Sequence, residues 1–260
     1  MIGIFDSGVG GLTVVKEIFK HLPGYQVIYF GDTARLPYGT KGADFVRKYS
    51  LKIAEWLLNK KAKIIVIACH TSSSWASDVL KTKFKNVPVF EMISSAVGDV
   101  LKTTKNKRVG IIGTPGTIKS GAFAKKLLKK DKSLKIYSAS CPLFVPLVEM
   151  GFVEGDVTRK VIKEYLASLK SKNIDTLVLA CTHYPLLKKE IQKFMGKRVN
   201  IVNPAESLAK DLKEFLKKNK IKVKKGRKHQ FFFSDEPYNL EKISKLCFGK
   251  KIKSIVKDPL

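Results

Sequence analysis

Two stretches carry the residues best suited to chemistry. KIIVIACHTSS (63–73) and DTLVLACTHYP (175–185) each run from an apolar segment into a cysteine trailed by hydroxyl and imidazole side chains. The first brings together Cys69, His70 and Thr71, the second Cys181, Thr182 and His183. A continuous apolar run suits a strand buried on both faces of a parallel sheet. Ligands of such sheets bind beyond the carboxyl ends of the strands. A thiol there meets the positive end of the following helix, which favours thiolate. Two thiols at equivalent places imply two bases facing each other across a cleft, one taking an α-proton and the other returning a proton to the opposite face. That is the chemistry of racemisation. An amino-acid α-hydrogen is far less acidic than a thiol of ordinary pKa about 8.5. The site must therefore also stabilise a carbanion-like transition state. Ser7 within DSGVGG, Thr71, Ser72, Thr114, Thr117 and Thr182 supply hydroxyls for a substrate carboxylate. The glycines around Ser7 let backbone amides approach an anion, or simply make a tight strand-to-helix turn.

The elements that must position these groups alternate between strand and helix periodicity. Strands are expected over 2–5, 26–30, 63–68, 87–90, 108–113, 135–140 and 176–180, with NIVNP and QFFF opening the last segments. Helical faces are marked by Leu12, Val15, Ile18, Phe19 and Leu22; by Val46, Tyr49, Ile53, Trp56 and Leu57; by Val157, Val161, Ile162, Tyr165 and Leu169; and by Leu208, Leu212, Phe215 and Leu216. GDTARLPYGTKG and CPLFVPLVEMG read as loops. This alternation argues for parallel α/β sheets. The chain also reads as two copies of one scheme. IGIFDSGVGGL from Ile2 resembles VGIIGTPGTIK from Val109, and Cys69 aligns on Cys181 at nearly the same separation. Chance likeness between two strand–turn units is the alternative to duplication. The fold expected is two pseudo-symmetric, three-layer α/β domains with an interdomain active site, one built from 1–95 with 206–260 and the other from 96–205.

With 44% hydrophobic residues among 260, a real core can form. No run is long and apolar enough for a membrane-spanning helix, and no leader pattern precedes MIGIFDSG, so a cytoplasmic location is expected. The four cysteines show neither CxxC pairing nor zinc spacing, and no metal site is expected. The net charge of +28 admits two readings. One is nucleic-acid binding. The other is a lysine coat on an ordinary enzyme, favoured because the lysines spread over most helix faces and no nucleic-acid-binding signature is present.

FDSGVGGL (5–12), YFGDTARLPYG (29–39), ACHTSS (68–73), VGIIGTPGT (109–117), CPLFVPLVE (141–149) and ACTHYPLL (180–187) together resemble glutamate racemase along essentially the whole chain. The resemblance implies two α/β domains, catalytic cysteines on opposite sides of glutamate, no cofactor, and a product, D-glutamate, used for peptidoglycan. Carried over by position, Cys69 and Cys181 match the catalytic thiols, Asp6 the acid beside the first, His183 the imidazole beside the second, and Glu149 a further acid on that second side. Ser7, Tyr38, Gly39, Thr71 and Thr182 match substrate-binding positions, and Thr114 and Thr117 a loop approaching the substrate. Family members commonly pair as homodimers, though no interface is legible here. Relatives activated by a peptidoglycan precursor carry an extension before the first strand, and no activation of that kind is expected. His70 departs from the pattern, which usually has asparagine there. It is expected to contact substrate and, as a histidine, to titrate near neutral pH.

Other readings of the same residues stand beside these. His183 could be structural, Asp6 could cap the helix near Leu12, and Tyr38 could be loop packing. Cys141 and Cys247 are expected to be structural, and His21 and His229 solvated. Aspartate or hydantoin racemisation, and a secondary DNA or gyrase interaction, remain as alternative functions.

Overall fold

The computed structural model describes residues 1–219, 221, 223–226 and 228–260. Its strands are β1 (Ile2–Asp6), β2 (Val27–Gly31), β3 (Ile64–Ile67), β4 (Val89–Glu91), β5 (Arg108–Gly113), β6 (Lys135–Ser140), β7 (Thr176–Ala180), β8 (Asn200–Val202), β9 (Gln230–Phe233) and β10 (Ile255–Val256). They form two parallel sheets, ordered β10-β9-β2-β1-β3-β4 and β6-β5-β7-β8. The apolar runs that mark β1, β3 and β7 are wholly buried, as strands covered by helices on both faces must be. The fold is therefore α/β with parallel sheets.

In the first sheet the chain leaves β1 toward β2 and later crosses to β3 on the other side. In the second it leaves β5 toward β6 and later crosses to β7. Each sheet thus has a switch point, β1/β3 and β5/β7, where loops diverge and leave a crevice at the strand ends. Register aligns those ends: Phe5 pairs with Ile67, and Gly113 with Ala180. Ser7 and Cys69 follow the first switch point, Thr114 and Cys181 the second.

One apolar core runs through both halves, including Ile4, Leu12 and Val66 from the first and Phe144, Leu179 and Leu187 from the second. The helix Pro204–Asn219 packs on the helices Leu12–His21 and Met92–Thr103 and so braces one half against the other. Two loop expectations change. CPLFVPLVEMG contains a short helix, Phe144–Glu149, whose Phe144, Val145 and Val148 are buried, and GDTARLPYGTKG contains two 3-10 turns, Thr33–Arg35 and Tyr38–Thr40. Proline and glycine in these stretches hide a periodicity of only one or two turns. His229 is not a solvated side chain either. Its ring lies 4.3 Å from that of Phe19, and its Nδ1 accepts the Val27 amide at 3.3 Å.

Candidate active site

Cys69 is the N-cap of the helix His70–Lys83, and its Sγ accepts the Ser72 amide at 3.5 Å. It lies 3.9 Å from Ser7 Oγ. The helix end does favour thiolate, through the Ser72 amide, but it is outweighed. Burial, aided by the negative Asp6, pushes the Cys69 thiol up to about 12, and the Ser72 contacts recover only part of that. Cys69 rests as a neutral thiol.

Asp6 is wholly buried at the end of β1. Its Oδ2 accepts the amides of Gly11 at 3.0 Å and Gly8 at 3.3 Å, and Thr182 Oγ1 lies 3.4 Å from Oδ1. Asp6 therefore ties down the turn into the helix Leu12–His21 and also reaches across to the second half. Burial raises it above the ordinary carboxylate range, while His183 and these donors pull the other way. Among the described residues it makes no hydrogen bond to Cys69. The glycine turn is packed directly on the second half. A Cβ at Gly10 would sit 2.5 Å from Thr182 Oγ1 and 2.6 Å from the His183 ring, a position only glycine fills.

Cys181 follows β7 and leads into a 3-10 turn, Tyr184–Leu187, not directly into a helix. Its Sγ is 3.8 Å from His183 Nδ1, and His183 Nε2 is 3.0 Å from Glu149 Oε1. Burial opposes charge on His183, but the hydrogen bonds to Cys181 and Glu149 outweigh it and lift the imidazole to about 10. The result is a carboxylate–imidazolium–thiol row, the arrangement that activates a sulfur.

Both thiols line a single small cavity that opens to solvent. Ser7, Tyr38, Gly39, His70, Thr71, Thr114, Thr117, Glu149, Thr182 and His183 share it. Of the residues singled out for the site, Asp6 and Ser72 stand behind the wall, both wholly buried. Leu36, Pro37 and Val145 also line it and carry no chemical signal of their own; they lie inside the motifs YFGDTARLPYG and CPLFVPLVE. Thr71, Thr114 and Thr117 form a triangle of hydroxyls at 3.0–3.2 Å, closing one side of the cavity between the halves. His70 is buried with neither ring nitrogen paired, and burial pushes it down to about 3, partly opposed by Glu91. It is neutral at every physiological pH, contrary to the expected titration. No group of three or more His, Cys, Asp or Glu among the described residues is placed to hold a metal ion. All four cysteines are free and buried.

The family model for Asp/Glu/Hydantoin racemase matches residues 2–212. The chain belongs to that family. It is 47% identical to the glutamate racemase of Aquifex pyrophilus over 249 residues, 96% of this chain and 94% of that protein. Among solved structures it superposes on a glutamate racemase of Bacillus anthracis with a TM-score of 0.95 at 35% identity, covering 100% of this chain and 97% of that one. The glutamate racemase of Francisella tularensis, solved in complex with D-glutamate, superposes with a TM-score of 0.91 at 37% identity, covering 98% and 96%. The chain is accordingly an amino-acid racemase of this cofactor-independent family, an isomerase. Among the described residues no helix is long and apolar enough to cross a membrane.

Proposed function

We propose that this racemase interconverts L- and D-glutamate by a two-base mechanism through Cys69 and Cys181. The observation that carries the reading is that two thiols, each at the switch point of its own sheet, line one small cavity. The imidazolium of His183 supplies a positive charge beside Cys181, which suits Cys181 to take the α-proton, while Cys69 is held as thiol. In one direction the Cα–H bond breaks as an S–H bond forms on Cys181, and the electron pair left on Cα spreads into the α-carboxylate. The Cys69 S–H then delivers its proton to the opposite face. The other enantiomer runs the same steps backward. Glu149 holds His183, and Asp6 fixes the glycine turn and Thr182. Ser7, Tyr38, Gly39, His70, Thr71, Thr114, Thr117 and Thr182 bind substrate, their hydroxyls and amides stabilising charge that develops on the carboxylate. Glutamate is favoured over aspartate because the near relatives at 40–47% identity are glutamate racemases. The two sheets would centre separate domains, 1–95 with 206–260 and 96–205. D-glutamate for peptidoglycan, made in the cytoplasm where free thiols stay reduced, is the physiological role this reading assigns.

The test is circular dichroism of L-glutamate with the purified protein and no added pyridoxal phosphate, run in D2O. Loss of ellipticity with deuterium appearing at Cα is the expected outcome. Turnover of L-aspartate or a hydantoin in preference to glutamate would overturn the substrate assignment, and racemisation without solvent deuterium the proton-transfer route.

A further inference from the structure

The loop that carries Tyr38 and Gly39 is held from outside the cavity. Asp32, wholly buried, accepts Tyr38 Oη at 2.5 Å on one oxygen, and Ser234 Oγ and Arg35 Nη1, both at 2.8 Å, on the other. Arg35 then forks onto Asp258, at 2.6 and 3.2 Å, and its guanidinium lies 4.6 Å from the centre of the Tyr49 ring. Asp258 lies just beyond β10, in a segment joined to the sheet where the Lys257 amide donates to Phe233 O at 2.8 Å. At the inner end of this chain of contacts the loop has no slack. A Cβ at Gly39 would fall 2.5 Å from Thr114, across the cavity in the other half. The phenol proton of Tyr38 is committed to Asp32, so the carboxylate dictates where the ring sits.

We propose that Asp258, Arg35 and Asp32 are positioning residues for racemisation: the segment after β10 clamps the Leu36–Gly39 wall of the cavity in its substrate-binding position through Arg35. The inference rests on the reading that Tyr38 and Gly39 meet the substrate. None of the three touches the reacting atoms, so the clamp sets affinity more than turnover. The outer pair is open to water, with Arg35 at 17% and Asp258 at 36% exposure, and salt weakens such a pair.

The test compares wild type, Asp258→Asn and Asp258→Glu. Asp258→Asn should raise KM for L-glutamate about 2–5-fold with kcat essentially unchanged, the scale expected when one partly exposed ion pair that preorganises a site is lost. Asp258→Glu should restore KM. Between about 0.05 and 0.5 M NaCl, wild-type KM should rise more steeply than that of Asp258→Asn, because only the former has the pair to screen. Amide hydrogen exchange over residues 32–41 should quicken in Asp258→Asn whatever the substrate is. Unchanged exchange together with unchanged KM would overturn the clamp, as would an equal fall in kcat and melting temperature with no change in KM. A wild type that fails to racemise glutamate would count against the proposed function instead, and faster exchange in Asp258→Asn would then still establish the clamp.

Discussion

The surroundings of Cys69 and of Cys181 differ although the scaffold beneath them is the same. Each thiol follows a buried strand at the switch point of a parallel sheet. Around Cys69 there are an amide, a serine hydroxyl and a nearby carboxylate, and no base within hydrogen-bond distance among the described residues. Around Cys181 there is an imidazole backed by a carboxylate. Fold repetition places two sulfurs; burial and the groups brought against each one make them differ. The helix end at Cys69 is outweighed because burial penalises a thiolate by more than one amide contact returns. The result is a thiol beside a carboxylate on one side and a sulfur beside an imidazolium on the other, an asymmetry that the proposed two-base mechanism would use.

The sharpest way to break this comparison is to remove each sulfur. Cys69→Ser and Cys181→Ser should each lower racemisation by at least about 10³-fold, since an alcohol is a far poorer acid and base at neutral pH. Near wild-type turnover in either variant would sink the two-base mechanism. Next comes the asymmetry itself. His183→Asn should cost about 10²–10³-fold in kcat, the range for a removed acid–base partner, with no counterpart on the Cys69 side. The same variant gives a sign test. The folded imidazole is raised above its ordinary value of 6.5 to about 10, so its contribution to stability is fully present below pH 6.5 and is lost as pH rises through about 10. The melting-temperature gap between wild type and His183→Asn should therefore be widest at low pH and close toward the upper end. A gap that widens with rising pH would show that His183 is buried neutral.

What could be read from the sequence divides along the same line. The strands ending at Cys69 and Cys181 were legible because a run such as IIVI has no other place in an α/β protein than a doubly covered strand. The cavity residues were legible as motifs, and the structure gathers all of them but Asp6 and Ser72 around one space. Charge states were not legible. They depend on Glu149 meeting His183 over 34 residues of separation and on burial that no local pattern reports. The helix Phe144–Glu149 was hidden by its own Pro146. Asp32 and Arg35 sat in a quoted motif without an assigned part, since their partners Ser234 and Asp258 lie some 200 residues away.

Glu149 sharpens the comparison at smaller amplitude. Glu149→Gln keeps an oxygen for His183 Nε2 and removes the negative charge that helps hold the imidazolium, leaving a bond that is charged on the donor side only. A loss of roughly tenfold in kcat follows. The midpoint at which the His183 imidazolium titrates, followed by NMR, should move down from about 10. An unshifted midpoint would mean that Cys181 alone holds the imidazolium.

The smallest effect is expected at His70, the imidazole next to the wrong sulfur for an acid–base role. It adjoins Cys69 in sequence, yet its ring is buried, unpaired and held near 3, so it does not take up a second ring proton at working pH. His70→Asn exchanges one neutral polar side chain for another at the cavity wall. One altered hydrogen bond to substrate is worth about 0.5–1.5 kcal/mol, so kcat/KM should change by no more than about tenfold, chiefly through KM. The acid limb of the pH profile should be the same in both enzymes between about pH 5 and 7, because a group of pKa near 3 has finished titrating below that window. If instead the wild type shows an ionisation near 6.5 that disappears in His70→Asn, the imidazole is solvated in the working enzyme. The neutral thiol of Cys69 would then have a titrating partner after all, and the two sides of the cavity would be more alike than their hydrogen bonds indicate.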